Sequence, residues 1–175
     1  MHGDFVDRTT GELRDKRFVA AHRGGPLSME HHRQLANWAA DCAEHVQPLF
    51  AAHSRNDRPR GAIEAARAWA KGGISVGDAR KAAVEAHAAA RASADPAATA
   101  AARSAGHAAA TAHMADHSLG AALYALKAVE ATGISSDRER RRQERRLPLN
   151  LRELVLSAQH YAEQRQGRGR RNKSA

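Results

Sequence analysis

An all-α fold, a compact Ala-rich helical bundle of about five to seven helices, is predicted by three features of the sequence. Of the 175 residues 41 are Ala, the best helix former and one small enough to let helix axes approach closely. Only 4% are aromatic, so Ala, Leu and Val must build the core, and Ala seldom anchors a sheet. The hydrophobic fraction is 42%, yet no apolar run approaches the ~18 residues of a membrane span. A soluble protein follows, with the cytoplasm as its expected compartment, because Cys42 has no second cysteine to pair with and Met1-His2-Gly3-Asp4 leads into charge instead of a signal peptide.

Residues 1–28 hold scattered charge, Gly24-Gly25-Pro26 and no sustained period, and read as an irregular arm with a short helical turn near Leu13 to Val19. The helical domain is expected over 29–164. Its first helix, introduced by Ser28 and running from His31 to Phe50, carries Leu35, Trp38, Ala39, Cys42, Val46, Leu49 and Phe50 at three- and four-residue spacing. Pro48 should distort or end its last turns. After a polar loop from Ser54 to Arg60, Pro59 is placed to start the second helix, with Ile63, Ala66, Trp69 and Ala70 on one face. Gly72-Gly73-Ile74 supplies the left-handed glycine and apolar follow-on that end a helix. Ser75 and Asp78 form a capping box for the third helix, about Val76 to Ala94.

The same signals return in Thr132-Gly133-Ile134-Ser135-Ser136 followed by Glu139, which recurrent helix-stop chemistry accounts for more simply than a duplication. Asp95-Pro96 caps and opens a fourth helix whose pattern continues from Ala97 to Thr132. That is long for a globular helix, so a break is expected near Gly106 or between Asp116 and Gly120. Asp137 to Arg146 makes the next helix, Pro148 interrupts it, and Leu151 to Gln164 makes the last, with Leu151, Leu154, Val155 and Ala158 inward. The Gly-Arg repeats of 165–175 cannot pack a core and read as a disordered basic tail.

The net charge of +9 is concentrated in two places. Residues 165–175 contribute +5 and 137–146 contribute +3, which leaves +1 for the rest of the chain. Nucleic-acid contact is therefore assigned to Arg140, Arg141, Arg142, Arg168, Arg170 and Arg171 as non-specific phosphate partners, without the aromatic platforms that would add base selectivity.

Eleven histidines are the main anomaly. With the fourth helix continuous through Thr132, steps of ~100° per residue place Ala115, Leu119, Ala122, Leu123 and Leu126 on a buried stripe. His113, His117, Tyr124 and Lys127 then form a polar ladder beside it, opened by Gly120. Such a ladder can line a ligand cleft in which His exchanges protons and Tyr and Lys orient a polar group, with Trp38 or Trp69 as an aromatic wall. His113 or His117 is expected to be buried and hydrogen-bonded to a group such as Asp41 or Glu85. The one-turn spacing of these histidines also suits a metal, but it supplies two ligands, and a third would have to come from His87 or His107. No metal and no cofactor is assigned. Cys42 lies in the apolar stripe with Asp41 turned away, so a catalytic Cys-His-Asp set is not expected and Cys42 reads as a core residue. Glu64, Arg67, Arg80, Glu85, Arg91 and Arg103 recur at turn-sized intervals and are read as ion pairs, mostly on the surface.

Several strings are specific in their order and spacing: His32-Arg33-Gln34-Leu35-Ala36-Asn37-Trp38-Ala39-Ala40-Asp41-Cys42-Ala43-Glu44, then Arg58-Pro59-Arg60-Gly61-Ala62-Ile63-Glu64, and Ala86-His87-Ala88-Ala89-Ala90-Arg91. Ala105-Gly106-His107-Ala108 through His113-Met114 and Leu119-Gly120-Ala121-Ala122-Leu123-Tyr124-Ala125-Leu126-Lys127 follow. Together they resemble the Imm-5-like family of bacterial immunity proteins over about residues 30–160. The resemblance implies a compact helical domain that neutralises a toxin or a harmful small molecule by binding, and it carries no catalytic residues over. A small-molecule enzyme or ligand-binding domain using the His/Tyr/Lys ladder, and a nucleic-acid-associated protein acting through the Arg segments, are the alternatives.

Overall fold

Ala-rich sequence becomes closely packed helices in the computed structural model, which describes the backbone of residues 15–171 and side chains as far as residue 162. Seven α-helices follow in order: α1 Met29–Ala51, α2 Arg58–Ala70, α3 Val76–Arg91, α4 Pro96–Ala110, α5 His117–Glu130, α6 Asp137–Arg146 and α7 Arg152–Arg171. The described residues form a compact all-α bundle without strands. None of these helices is long and apolar enough to cross a membrane.

The helix ends follow local chemistry. Ser28 accepts from the His31 amide at 3.1 Å to open α1. Ser75 and Asp78 form the expected reciprocal capping box at the start of α3. Asp95 accepts from the Ala98 amide at 2.7 Å, with Pro96 as the first residue of α4. Gly72 and Gly133 sit at φ +78° and +82°, the left-handed positions at which α2 and α5 stop, where a side chain would be strained. Pro48 is tolerated inside α1 because the helix ends at Ala51, within a turn of it.

α4 lies at the centre, against α1, α2, α3 and α5. Nine of its 15 residues are Ala and most of it is buried, so four neighbours can approach a thin cylinder. Larger side chains gather in one cluster, where Leu35, Trp38, Val46 and Phe50 of α1 pack with Leu147, Leu151 and Val155. Cys42 is fully buried among them, and that burial, with Glu139 nearby, pushes its thiol well above the ordinary value. It is an inert core residue.

The fold departs from expectation in four places. Over residues 15–28 the arm is folded: 3₁₀ turns at Lys16–Phe18 and Ala21–Arg23 turn it back, and Phe18 and Leu27 enter the main core. The first 14 residues lie outside the described part, including Leu13 at the start of the expected turn. Second, the long fourth helix breaks at 111–116, so His113 stands in a turn and α5 begins at His117. Gly106 stays inside α4. Third, Leu123 is 38% exposed, because the buried face of α5 centres on Ser118, Ala121, Ala122, Ala125 and Leu126, to one side of the stripe drawn through Leu119 and Leu123. Finally, α7 continues to Arg171, past the expected stop at Gln164, since Gln and Arg are good helix formers and Gly costs only about 1 kcal/mol per residue. Residues 172–175 of the expected basic tail lie outside the described part.

Candidate functional site

Three consecutive helices present one imidazole after another along a single edge. On α3, His87 lies over Gly106 of α4; a Cβ on that glycine would stand 2.7 Å from His87 Cε1. The next residue on α4, His107, lies over Gly120 of α5, where a Cβ would stand 2.7 Å from His107 Nδ1. Each glycine is thus a notch for the ring offered by the preceding helix. A glycine inside an Ala-rich helix costs about 1 kcal/mol relative to Ala, and here close ring-to-backbone approach offsets that cost.

The rings form a chain. His87 meets His107 edge to face at 5.2 Å between centroids, His107 meets His117 at 5.3 Å, and His117 meets His113 at 5.0 Å. Nδ1 of His107 and Nδ1 of His117 are 3.2 Å apart, so one ring donates and the other accepts. Tyr124 stacks on His107 at 5.2 Å and 15°. Two cations flank the same phenol: Lys127 Nζ lies 4.9 Å and the Arg103 guanidinium 5.9 Å from its ring centre.

Burial disfavours charge on these rings, and the cations around them add to the effect. His107 is pushed down to about 3, by burial first and then by His117, His87 and Arg103. His113 falls to about 4, by burial and then by His117, Arg80 and Arg23. His87 is also lowered, by burial and then by Arg103, His117 and Arg91. His87, His107 and His113 are therefore neutral at neutral pH. Nδ1 of His87 and Nδ1 of His113 are buried without a hydrogen-bond partner.

A second pair of rings sits behind the turn. His32 Nε2 donates to the Thr111 carbonyl at 2.6 Å, which leaves Nδ1 with its lone pair, buried without a hydrogen-bond partner, and His32 also lines a small cavity of about 40 Å³. That cavity lies between the arm and the α4–α5 turn, lined by Phe18, Arg23, His32, His113 and Asp116 among others. It has room for a water molecule or little more.

The structure thus brings His113, His117, Tyr124 and Lys127 to one edge, though not as rungs of one helix. His107, which joins them, was named from sequence only as a spare metal ligand. Its signal was the Gly106-His107 pair together with Gly120, glycines with no turn to make. The expected carboxylate partners are elsewhere: Asp41 accepts from Arg67 at 2.8 Å, and Glu85 is exposed. Trp38 and Trp69 are buried at 2% and 6% exposure. The Trp38 indole donates to the Gln143 carbonyl at 3.0 Å, and Trp69 faces His32 at 4.8 Å, so neither ring walls an open cleft. Among the described residues, no three His, Cys, Asp or Glu side chains come together as a metal site requires.

The Arg-rich helix α6 is more than a charged face. Glu139 and Gln143 are buried at 3% and 2% exposure. Gln143 Nε2 donates to Glu139 Oε1 at 3.0 Å and to the Ala122 carbonyl at 3.2 Å. His45 of α1 pairs with the other oxygen of Glu139 at 2.5 Å. Arg142 turns inward to the Asp41 carbonyl at 3.4 Å and Arg140 is half-buried, leaving Arg141 the exposed member of the three. Side chains of Arg168, Arg170 and Arg171 lie outside the described part.

Against known proteins, a family model described as "Imm-5 like putative immunity protein" matches residues 25–150. No curated protein and no solved structure matches the chain.

Proposed function

From the premise that the chain belongs to the Imm-5 like family of immunity proteins, we propose that it neutralises a toxin by direct, non-catalytic binding, and that the histidine edge of α3, α4 and α5 is the contacting face. What supports the choice of face is the gathering of His107, His113, His117 and Tyr124 beside exposed Lys127 and Leu123. A protein surface that holds desolvated polar rings next to an accessible cation and an apolar side chain has the mixed character of an interface centre. A small-molecule substrate at this edge is a weaker reading, since the cavity at His32 and His113 has a volume of only about 40 Å³. Non-specific nucleic-acid contact by α6 and the basic C-terminal segment is a further role, not a substitute, because Arg142 is engaged inside the fold.

Co-expression with the product of a neighbouring toxin gene tests this. The wild-type chain should restore growth and co-purify with the toxin, and Tyr124→Ala with Lys127→Ala should lose both while melting within a few degrees of wild type. Full protection by that double variant would remove the face from the interface. Absence of any complex at micromolar concentration would count against binding as the mechanism.

A further inference from the structure

Away from the histidine edge, a cavity of about 290 Å³ opens between the loop that follows α1 and the loop that joins α3 to α4. It shares no lining residue with that edge. Phe50 and Ala89, each 2% exposed and each part of the main core, form an apolar floor. His53, Ser54, Asn56 and Asp95 form a polar rim. Such a volume stands near the lower bound of small-molecule sites, about 300 Å³, and at the roughly 30 Å³ that a water molecule occupies in the liquid it admits about ten units of that size.

The fixed charge of this cleft is negative. Among the described residues that line it, Asp95 is the acid and none is Lys or Arg. Asp95 Oδ1 caps α4 by accepting from the Ala98 amide at 2.7 Å, and it lies 3.7 Å from His53 Nε2, beyond hydrogen-bond length. Oδ2 takes part in neither contact. The guanidinium of Arg58, close by in sequence, is turned to Asn56 Oδ1, to which its Nε donates at 3.1 Å. α1 ends at Ala51 and α3 at Arg91, so the negative ends of two helix dipoles meet at the cleft, whereas the positive end of α4 is answered by the Asp95 cap.

We propose that this cleft binds a small organic amine in its protonated form, with the ammonium on Asp95 and the carbon body on Phe50 and Ala89. The ammonium donates to Oδ2 while Oδ1 keeps the cap of α4, so the charge-assisted bond is made without undoing the helix start. The occupant is a free molecule and not a lysine of a partner, because a lysine stem with its ammonium fills only about half of the volume. Occupancy ties the loop after α1 to the start of α4 and stabilises the folded chain in proportion to its affinity.

The test titrates the full chain with phenethylammonium at about pH 7.5, where a primary amine is protonated, and follows backbone amide resonances by NMR. Saturable shifts at Ser54, Ser93 and Ala98 are expected, with a Kd of about 1 mM or tighter. Phenethyl alcohol, which keeps the shape without the charge, and phenylacetate, which reverses it, should bind at least about tenfold more weakly. Asp95→Asn keeps a good helix cap and removes the charge, so it should melt within a few degrees of wild type and bind about tenfold more weakly. Asp137→Asn, an exposed acid at the start of α6, should leave binding unchanged. Ala92→Leu, at the exposed lip of the cleft, should block entry. Absence of saturable shifts with the amine would overturn the proposal, as would equal binding of the alcohol or undiminished binding by Asp95→Asn or Ala92→Leu. Tighter binding of Nα-acetyl-lysine methylamide than of phenethylammonium would also overturn it and reassign the cleft to a lysine side chain of a partner.

Discussion

The two polar seams of the bundle are built from similar residues to opposite ends. Between α1 and α6, Glu139 Oε1 accepts from Gln143 and lies 3.9 Å from Arg142, Oε2 lies 2.5 Å from His45 Nδ1 without an aligned hydrogen bond, and Gln143 in turn bonds the α5 backbone. Along α3, α4 and α5, His87, His107 and His113 meet other imidazoles and arginines. The first seam is closed electrostatically and fastens α6, whose exposed face is too polar to bind by itself. The second is fastened by shape, through the notches at Gly106 and Gly120, and is left open to solvent beside Leu123 and Lys127. A histidine in a helical bundle is thus a clamp where a carboxylate lies opposite it, and a neutral packing ring where burial keeps its charge off.

Removing one partner from the closed seam should have the largest effect. Glu139→Ala takes from Gln143 its side-chain acceptor and from Arg142 its ion-pair partner, and should cost about 3 kcal/mol in denaturant unfolding, toward the lower end of the range for a broken buried pair because His45 is half-exposed. Glu139→Gln should cost clearly less. If the two variants were equally stable to wild type, the seam would not be what holds α6.

Acid should act on the open seam. Because the pKa of His107 in the folded protein lies at about 3, below its unfolded value near 6.5, the unfolded chain binds more protons between these limits. Its contribution is fully present above about pH 6.5 and is lost as pH falls toward 3. At pH 5 the loss from this ring alone is about 2 kcal/mol, or roughly 4–8 °C in Tm for a domain of this size. His107→Gln should flatten the thermal-melting profile between about pH 6.5 and 4; an unchanged slope would mean that the ring titrates normally.

A smaller effect tests the notches. Gly120→Ala gains about 1 kcal/mol of helix propensity but forces a methyl group against the His107 ring, an overpacking that costs about 1–3 kcal/mol. The net result should be destabilisation of about 1 kcal/mol. In a His107→Ala background the same change should become stabilising, and a double-mutant cycle that showed no such reversal would deny the notch.

The smallest effect is expected at the rim of the closed seam. Arg67 bridges Asp41 at 2.8 Å and Glu44 at 2.7 Å, tying α2 to α1, but it is part-exposed. Arg67→Ala should cost under about 1 kcal/mol, less so in high salt, as urea melts at two ionic strengths would show.

Sequence by itself was enough to determine the fold class and most helix ends, because caps, prolines and left-handed glycines act within one turn of the chain. Asp95-Pro96, Ser75 with Asp78, Gly72 and Gly133 needed no tertiary context. Of the candidate site, the pairing of Tyr124 with Lys127 was legible from helical spacing, since the break at 111–116 falls before α5 and leaves its face intact, whereas His113 stands in that break and meets His117 through the turn and not as its neighbour on one helix. Tertiary structure alone decided the rest. His87, His107 and His117 come from three helices, and whether their rings meet depends on how closely the axes cross, which the glycines permit but do not announce. The same holds for Glu139 and Gln143, two residues in an Arg-rich run that turn inward only because α1 and α5 place His45 and the Ala122 carbonyl opposite them. Local signals end helices within a few residues, whereas the partner of a polar side chain is chosen by packing between segments far apart in the chain.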